Sequence, residues 1–422
     1  MNINGLLNGK HCFCGQFHTC DIESVFIEDG AIGRLEGLCA EYKNILLVAD
    51  ENTFTAAGEE TCRVLGKKIA NSVVFSGKTV LIPNEESIAR VTDALGDSDL
   101  IIGVGSGVIQ DLCKYVSHES QIPYMVVATA PSMDGYASTG AAMITGGMKV
   151  TYPAGVPKAI VADPAVLANA PIEMIKAGYG DIIGKYSALN DWKLSRAVNG
   201  EYFCQYIYDT TYEMIEKTLV LSKGLLRRDK ESVRVLMEAL VVVGIMMSFA
   251  GNSRPASGSE HHLSHFFEIV GLLDGAEYFP HGIDVAYSTV ITAGVREKLL
   301  ASEFPKTQYT PNRRELEATL GEIYKSSAEG CIALQDKVGN YAKKRAPIYL
   351  QKEDEIRTIL SECPSAEEIK RILSLAELDI SEFYELYGEE KIEKAVLYSK
   401  DLKDRYTVLW MNYDYYGGTK ND

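Results

Sequence analysis

Apolar residues in the first 165 positions fall into short continuous runs that alternate with polar, helix-like segments. The strand-like runs are Ile45–Ala49, Ser72–Phe75, Thr79–Ile82, Leu100–Val104, Tyr124–Ala128 and Ala159–Ala162. A strand that is apolar throughout is buried on both sides, as in a parallel sheet between two helical layers. The pattern therefore predicts an α/β domain with a mostly parallel, Rossmann-like sheet.

The pattern changes after Asp163 and Pro164, where long helical periodicities replace the strand-like runs. One example is Ser365–Glu368, S-A-E-E, which has the form of a helix capping box and precedes a helical face of apolar residues. We therefore expect an α/β domain over residues 1–165 and an all-α domain over residues 166–422. Two domains also suit a chain of 422 residues, which exceeds the usual size of a single core.

Composition is that of an ordinary globular protein and narrows the range of partners. The chain has 46% hydrophobic and 24% charged residues, and its formal net charge is −16 at pH 7. Such a charge disfavours binding to nucleic acid or to an anionic membrane. A local cluster of donors can still bind a small anionic substrate.

Three further features favour a cytoplasmic location without membrane insertion. The first residues lack the charged-then-apolar run of a secretory signal. The most apolar window, Ala239–Ala250, is shorter than the about 20 residues needed to span a bilayer, so we expect a buried helix there. The nine cysteines are an odd number at low density, which suits a reducing compartment.

Cysteine and histidine cluster near the start, in the segment His11–Cys20, H-C-F-C-G-Q-F-H-T-C. Residues of these types bind zinc. However, Cys12 and Cys14 have Cys-x-Cys spacing instead of the usual Cys-x-x-Cys, and no second half of a zinc motif follows. The alternative is an edge hairpin in which small polar and sulfur-containing side chains alternate, and we prefer the hairpin.

Two loops at the carboxyl ends of neighbouring predicted strands are candidates for a nucleotide site. Gly103, Gly105 and Gly107 follow one strand and precede a helix, where glycine lets the backbone approach a pyrophosphate at the helix N-terminus. The motif is not the G-x-G-x-x-G fingerprint, because Val108 stands at its last position. The second loop, Thr129–Tyr136, follows the next strand and is expected to flank the same crevice.

Four of the seven histidines lie in one segment that ends at His281. His261 and His265 are four residues apart and share one face of a helix. Upstream, Asp181 is a lone acid in glycine-rich, apolar surroundings. One carboxylate and two imidazoles from separate segments can bind a divalent metal ion with open coordination positions. Singly, Asp181 also suits a helix cap or first-turn acid, and His261, His262 and His265 suit a solvated helix start.

These motifs resemble those of a known superfamily. Gly105–Lys114, G-S-G-V-I-Q-D-L-C-K, is similar to the G-G-G-S-x-x-D-x-x-K element of iron-containing alcohol dehydrogenases, glycerol dehydrogenases and dehydroquinate synthases. Thr129–Ser138, Gly180–Lys185, Ser253–His265 and Pro280–Gly282 resemble glycerol-1-phosphate dehydrogenases more specifically, above all the bacterial type found with arabinose-utilisation genes. The resemblance implies a dehydroquinate synthase-like fold, in which a cleft separates an α/β domain from an all-α domain.

The resemblance also implies roles for individual residues. Asp181, His261 and His281 match the family's metal ligands, with zinc, nickel or iron as the ion. His265 matches a substrate-contacting histidine, and Asp134 matches a further substrate contact. The residues that match dinucleotide contacts are Gly105, Ser106, Gly107, Val108, Ile109, Thr129, Ala130, Pro131, Ser132 and Ser138.

Cofactor preference follows from the same resemblance. Asp50, at the end of a strand, is expected to contact the adenosine ribose and to favour NAD, although members of this family often accept both NAD and NADP. Ser106 and Val108 replace the glycine and serine that are usual in the superfamily. We therefore expect the cofactor to be NAD(H) or NADP(H), with contacts to its phosphates that differ in detail from those usual in the superfamily.

The sequence thus predicts a reversible NAD(P)-dependent dehydrogenase that reduces dihydroxyacetone phosphate to sn-glycerol 1-phosphate. The metal ion polarises the ketone oxygen, the nicotinamide supplies the hydride, and Asp181 and His265 are the catalytic residues. The proton comes from His265 or from a water molecule on the metal. The candidates for binding the substrate phosphate are Arg254, Ser253, Ser257 and Lys185.

Three other functions are compatible with parts of this pattern. A glycerol dehydrogenase would act on the unphosphorylated diol, and a dehydroquinate synthase-like lyase would use the same cofactor and metal without net turnover of NADH. A nucleotide-binding protein without catalysis is the third alternative. In all cases we expect a homodimer, which is the commonest oligomer of soluble proteins.

Overall fold

The computed structural model describes residues 2–146 and 148–417. Its strands are β1 (Lys10–His11), β2 (Phe17–His18), β3 (Ser24–Ile27), β4 (Ile45–Asp50), β5 (Ile69–Phe75), β6 (Leu100–Gly105), β7 (Tyr124–Ala128), β8 (Gly140–Thr145), β9 (Met148–Pro153) and β10 (Ala159–Ala162).

A parallel sheet of six strands is the centre of the first part of the chain, with strand order β5-β4-β6-β7-β10-β3. The predicted α/β fold is confirmed. From β4 the chain moves to β5 on one side and then to β6 on the other, so the direction of winding reverses at β4. Ligands bind open α/β sheets at such a switch point, beyond the carboxyl ends of the strands.

Burial explains why these segments are strands. All residues of β6 and β7 are buried, and so are the first five residues of β4. Ile45, Leu47 and Ala49 belong to a core cluster on one face of the sheet, whereas the intervening Leu46 and Val48 are equally buried. Because neighbouring strand residues point to opposite faces, both faces of the sheet are covered.

Helices connect the strands and continue to residue 250. They are α1 (Ile3–Leu6), α2 (Leu35–Leu38), α3 (Glu51–Thr53), α4 (Glu59–Leu65), α5 (Glu85–Asp93), α6 (Gly107–Ser120), α7 (Pro164–Ala168), α8 (Ile172–Asn199), α9 (Gln205–Leu219), α10 (Ser222–Leu226) and α11 (Lys230–Ala250). A π-helical segment, Phe54–Gly58, joins α3 to α4, and short 3-10 segments span Ala31–Arg34, Gly66–Lys68 and Asp134–Ala137.

The remaining described residues form helices, as the helical periodicities predict. These are α12 (Ser259–Asp274), α13 (His281–Leu300), α14 (Arg313–Tyr324), α15 (Ala328–Lys337), α16 (Ala346–Gln351), α17 (Glu353–Ser361), α18 (Ala366–Ser374), α19 (Ile380–Tyr387), α20 (Glu389–Tyr398) and α21 (Val408–Tyr416), with 3-10 segments at Lys325–Ser327 and Ser399–Leu402. The Ser365 hydroxyl accepts the Glu368 N–H at 3.1 Å, which is the N-cap half of the predicted capping box. No strand follows β10 as far as residue 417.

The chain divides into two compact units, each formed by two segments. One unit runs to Ile182 and resumes over Glu213–Ser253, and it contains the sheet. The other comprises Ile183–Tyr212 and the helices from Arg254 onward. A hydrophobic core of the second unit packs aromatic and aliphatic side chains from several helices, among them Leu194, Leu299 and Trp410.

Among the described residues, helix α11 is long and apolar enough to cross a bilayer by length and composition. Its side chains are mostly buried against the protein, as predicted for Ala239–Ala250. Burial of this kind is typical of the core helix of a globular protein.

Three segments differ from the sequence-based prediction. The first is β3 (Ser24–Ile27), which pairs parallel with β10 and was not among the predicted strands. Thr79–Ile82 is not a strand, and its apolar Val80 is 85% exposed, so it lacks the burial that stabilises a strand. The antiparallel hairpin of β8 and β9 was not predicted. Its strands contain Gly140, Ala141 and Ala142, which carry little of the apolar pattern by which strands are detected.

Candidate active site

The turn between β6 and α6 has the form of a phosphate-binding loop. β6 ends at Gly105, and Ser106 is the N-cap of α6. A Cβ atom on Gly105 would lie 2.7 Å from the Cβ of Ile109, so this close turn requires glycine. A Cβ on Gly107 would meet nothing nearer than Met133 Cε at 3.9 Å. The first turn of α6 therefore offers backbone N–H groups to an anion.

The segment after β7 lies beside this turn, because the Thr129 N–H donates to the Gly105 carbonyl at 3.2 Å. The buried Lys114 of α6 fixes the end of the same segment. Its Nζ donates to the Gly135 carbonyl at 2.8 Å, to Ser138 Oγ at 3.2 Å and to the Gly140 carbonyl at 3.0 Å. Sequence reasoning included Lys114 in a family motif but gave it no role; the structure makes it a positioning residue for this loop.

Asp50 ends β4, at the switch point of the sheet. Its Oδ1 accepts the Thr53 N–H at 2.9 Å, and its own N–H donates to Thr53 Oγ1 at 3.0 Å, which is a capping box. The carboxylate thus caps the following helix, while its contact with the adenosine ribose stays a prediction.

Asp181 lies in the interior of α8, so the alternative that it is a cap or first-turn acid is wrong. The side chain is fully buried, and its Oδ2 accepts the Asp134 N–H at 2.9 Å. One turn earlier, a Cβ on Gly178 would lie 1.8 Å from the Pro131 carbonyl oxygen. Glycine at 178 therefore lets the helix that carries Asp181 contact the loop after β7 directly.

Three predicted histidines form one cluster. His261 and His265 lie on α12, and His281 begins α13. The ring centroid of His281 is 5.1 Å from that of His261 and 5.5 Å from that of His265, and the His261 and His265 centroids are 6.1 Å apart. His261 is only 5% exposed and His262 is fully buried, so the alternative of a solvated helix start is wrong.

A buried ion pair fixes the start of α12. The Asp191 Oδ2 accepts the Ser259 N–H at 2.7 Å, and its Oδ1 lies 2.8 Å from Arg296 Nη2. A Cβ on Gly258 would lie 2.7 Å from Asp191 Oδ2, so glycine permits this approach. Asp191 lies on α8 and Arg296 on α13, so these two helices fix the first turn of α12, where His261 lies.

A carboxylate and two imidazoles come together as the sequence predicts. One ligand atom from each of Asp181, His261 and His281 lies within 4.8 Å of the other two. On a divalent ion with bonds of about 2.0–2.2 Å, such atoms lie about 3.0–3.6 Å apart, so binding would shorten their separations by no more than about 2 Å. This donor set fits zinc, nickel or iron and leaves coordination positions for substrate.

The ligand candidates also have the hydrogen-bond partners that orient metal ligands. His261 Nδ1 lies 2.7 Å from Glu260 Oε1, so Nε2 is the candidate ligand atom. His281 Nδ1 lies 3.3 Å from Ser264 Oγ. The Asp134 N–H binds Asp181, so each of the three side chains has a hydrogen-bonding contact that orients it.

The candidates for phosphate binding have varied surroundings. Arg254 is 4% exposed; its Nε and Nη2 bind the Glu201 carboxylate at 2.7 and 2.5 Å, and its Nη1 donates to the Tyr406 carbonyl at 2.8 Å. These contacts indicate a structural role, and its role in substrate binding stays a prediction. Lys185 is fully buried one turn beyond Asp181, Ser257 is buried, and Ser253 is half-buried.

Sequence reasoning missed two cations next to Ser257. Lys403 Nζ lies 3.4 Å from Ser257 Oγ, and Arg405 Nη1 donates to the Ser257 carbonyl at 3.0 Å. Burial and the neighbouring Arg254 lower the pKa of Arg405 to about 10, so it remains charged at neutral pH. Nearby, both ring nitrogens of the buried His262 have no hydrogen-bond partner among the described residues. No local signal marks Lys403 and Arg405, because only the fold brings them to this segment.

The fold and the donor set define the class of protein. Residues 26–171 match the family model for iron-containing alcohol dehydrogenases. The fold is also that of a solved iron-containing alcohol dehydrogenase from Thermococcus thioreducens, with a TM-score of 0.60 and 13% identity over 95% of this chain and 100% of that chain.

Sequence comparison places the chain more narrowly. It is 34% identical over 292 residues to a glycerol-1-phosphate dehydrogenase [NAD(P)+] from Geobacillus thermodenitrificans, covering 67% of this chain and 72% of the relative. It is 30% identical over 421 residues to a protein of the same name from Bacillus licheniformis, covering 94% of this chain and 90% of the relative. The chain belongs to the glycerol-1-phosphate dehydrogenase family, within the superfamily of iron-containing alcohol dehydrogenases.

Proposed function

We propose that the protein is an NAD(P)-dependent sn-glycerol-1-phosphate dehydrogenase, which reversibly reduces dihydroxyacetone phosphate and so supplies a precursor of glycerophospholipids. The observation that carries the proposal is the grouping of Asp181, His261 and His281 around one position, in a chain with a dinucleotide-type sheet. Family membership narrows the general alcohol dehydrogenase chemistry to this substrate.

The three grouped side chains hold the metal ion in this proposal. When bound, the ion supplies Lewis-acid polarisation of the ketone oxygen, and NAD(P)H supplies the hydride. Asp181 contributes the only charge among the three ligands, since both imidazoles coordinate as neutral groups. The hydrogen bonds to Asp181 and His261 keep these ligands in place when substrate enters and leaves.

His265 is proposed to deliver the proton to the substrate oxygen. Its ring lies 5.5 Å from that of His281, so it is close to the ligands without belonging to the ligand group. An imidazole exchanges protons near neutral pH, which suits a reversible reaction. Asp134, whose backbone N–H binds Asp181, is proposed to contact the substrate hydroxyl.

The dinucleotide is proposed to bind at the carboxyl ends of β6 and β7. The turn at Gly105–Ile109 binds the pyrophosphate through backbone N–H groups, and Thr129–Ser132 lies beside it. The capping carboxylate of Asp50 lies at the neighbouring strand end, where a ribose would bind. We propose use of both NAD(H) and NADP(H), in a cytoplasmic homodimer.

The substrate phosphate is proposed to bind near Ser257, where Lys403 and Arg405 converge. Two cations at one segment stand out in a chain whose net charge is −16. Ser257 precedes α12 directly, and His261 lies in the first turn of that helix. A cationic site at this point favours a phosphorylated substrate over free glycerol.

The test is oxidation of NADH and of NADPH by the purified protein with dihydroxyacetone phosphate, and with dihydroxyacetone as the unphosphorylated control. The proposal requires turnover with the phosphate ester and formation of sn-glycerol 1-phosphate, identified by a stereospecific assay. Turnover that favours dihydroxyacetone would instead identify a glycerol dehydrogenase. Absence of net NAD(P)H oxidation with either compound would contradict a dehydrogenase.

A further inference from the structure

A second group of metal-binding side chains lies outside the active site, at the hairpin of β1 and β2. The strands pair antiparallel, with Lys10 opposite His18 and His11 opposite Phe17, which confirms the predicted hairpin. At its tip the Gly15 N–H donates to the Cys12 carbonyl at 3.0 Å, and the Cys12 N–H donates to the Gln16 carbonyl at 3.0 Å. Gly15 has φ of +87°, which favours glycine in this tight turn.

His18 is held in the orientation of a metal ligand. It is 1% exposed, its Nδ1 lies 3.0 Å from the Phe249 carbonyl oxygen, and its ring stacks on Phe249 with centroids 5.4 Å apart. The carbonyl can only accept, so Nδ1 carries the proton and Nε2 presents its lone pair. Nε2 lies 3.3 Å from Cys14 Sγ. A backbone carbonyl on the distal nitrogen is the usual way to orient a ligating imidazole.

A remote cysteine completes the group. Cys204, which directly precedes α9 and is fully buried, contributes a sulfur atom to it. One ligand atom from each of Cys12, Cys14, His18 and Cys204 lies within 4.8 Å of the others. In a tetrahedral zinc site with Zn–S bonds of about 2.3 Å and a Zn–N bond of about 2.0 Å, ligand atoms are about 3.5–3.8 Å apart. Shortening these separations by no more than about 1.3 Å would close the group around an ion.

We propose that Cys12, Cys14, His18 and Cys204 bind a structural zinc ion. Three sulfurs and one imidazole nitrogen form a donor set that selects zinc, and four protein ligands fill a tetrahedral shell. Zinc displaces the thiol protons on binding, and the ion fixes the hairpin near Phe249. Cys12 and Cys14 supply two of the four ligands, and His18 and the remote Cys204 supply the other two. We therefore replace the preferred hairpin without metal by a hairpin that binds metal.

The experiment uses the full-length Asp181→Asn protein, which we expect to lose the active-site metal while the hairpin residues are unchanged. We expect about one zinc ion per chain after purification, and zinc X-ray absorption that fits three sulfur neighbours and one nitrogen neighbour. Titration with a mercurial thiol reagent should release that zinc in step with cysteine modification. Zinc-free protein, or a zinc shell of nitrogen and oxygen only, would overturn the proposal.

Single-residue variants test which cysteines bind the zinc ion. In the Asp181→Asn background, Cys14→Ser and Cys204→Ser should each remove most of the zinc, whereas Cys62→Ser, a partly exposed cysteine outside the group, should leave the content unchanged. In the wild-type background, Cys14→Ser should keep the dehydrogenase reaction and lower the melting temperature. Equal zinc in all three variants would contradict the assignment, and the thiol titration remains decisive if a variant does not fold.

Discussion

At the scale of single residues, the active site depends on a carboxylate buried in the middle of a long helix. Asp181 has no exposed surface, and such a charge is stable only with strong partners. The Asp134 N–H is one such partner, and the proposed metal ion would be another. The burial of Asp181 is therefore compatible with the proposed metal site.

We therefore expect Asp181→Asn to lose activity without losing the fold. The amide has nearly the same shape but no charge for the cation, so turnover should fall by about 10²–10³-fold or more, in the range for loss of a group that stabilises a developing oxyanion. Metal content and the rate with dihydroxyacetone phosphate measure the effect, and the circular dichroism spectrum is the control. A variant that binds metal and turns over normally would exclude Asp181 as a ligand.

The cationic residues near Ser257 give a second prediction at this scale. Lys403→Met should raise the KM for dihydroxyacetone phosphate about tenfold or more, because a charged hydrogen bond contributes about 1.5–3 kcal/mol. The activity with dihydroxyacetone should change little. Lys306→Met, at an exposed position, is the charge-matched control. Equal effects of Lys403→Met on both substrates would place the phosphate elsewhere.

At the scale of elements, the approach of α8 to the loop after β7 is the contact that brings Asp181 to the dinucleotide side of the sheet. It depends on Gly178, whose position leaves no room for a Cβ atom beside the Pro131 carbonyl. In contrast, a Cβ on Gly294, in the interior of α13, would meet no atom within 4 Å. Gly178 is therefore required for a close helix–loop contact, whereas Gly294 is not required for any such contact.

Gly178→Ala should lower the free energy of unfolding by about 1–3 kcal/mol, the usual cost of forcing extra atoms into packed structure, and should raise the KM for the dinucleotide. Gly294→Ala should raise the free energy of unfolding by up to about 1 kcal/mol, because alanine favours helix over glycine. Urea unfolding monitored by circular dichroism compares them. Equal stability changes in the two variants would show that the close contact is not required.

Elements with a strong local pattern could be predicted from the sequence, and those that depend on distant partners could not. The apolar runs of β4, β6 and β7 identify buried strands because runs of this length between polar segments suit a strand, whereas a longer run such as Ala239–Ala250 suits a buried helix. The run Thr79–Ile82 misleads because its apolar residues are not buried by any neighbouring strand. The proposed metal ligands could be selected because four of the seven histidines lie in one segment and Asp181 is a lone acid in apolar surroundings.

At the scale of the whole molecule, both proposed metal sites combine residues that are far apart in sequence. Asp181 joins His261 and His281, and the hairpin residues join Cys204. Local motifs therefore show only part of each site: the His261/His265 pair contains one of the three proposed active-site ligands, and Cys-x-Cys contains two of the four proposed zinc ligands. Lys403 and Arg405 also could not be identified from a local motif, because only folding brings them to Ser257.

The most direct test of the central claim is a crystal structure of nickel-reconstituted protein, with anomalous diffraction recorded on both sides of the nickel absorption edge. A nickel peak within about 2.0–2.3 Å of an Asp181 oxygen and of one nitrogen each of His261 and His281 is the predicted result. A nickel peak away from these three side chains, in protein that is active with dihydroxyacetone phosphate, would contradict the account.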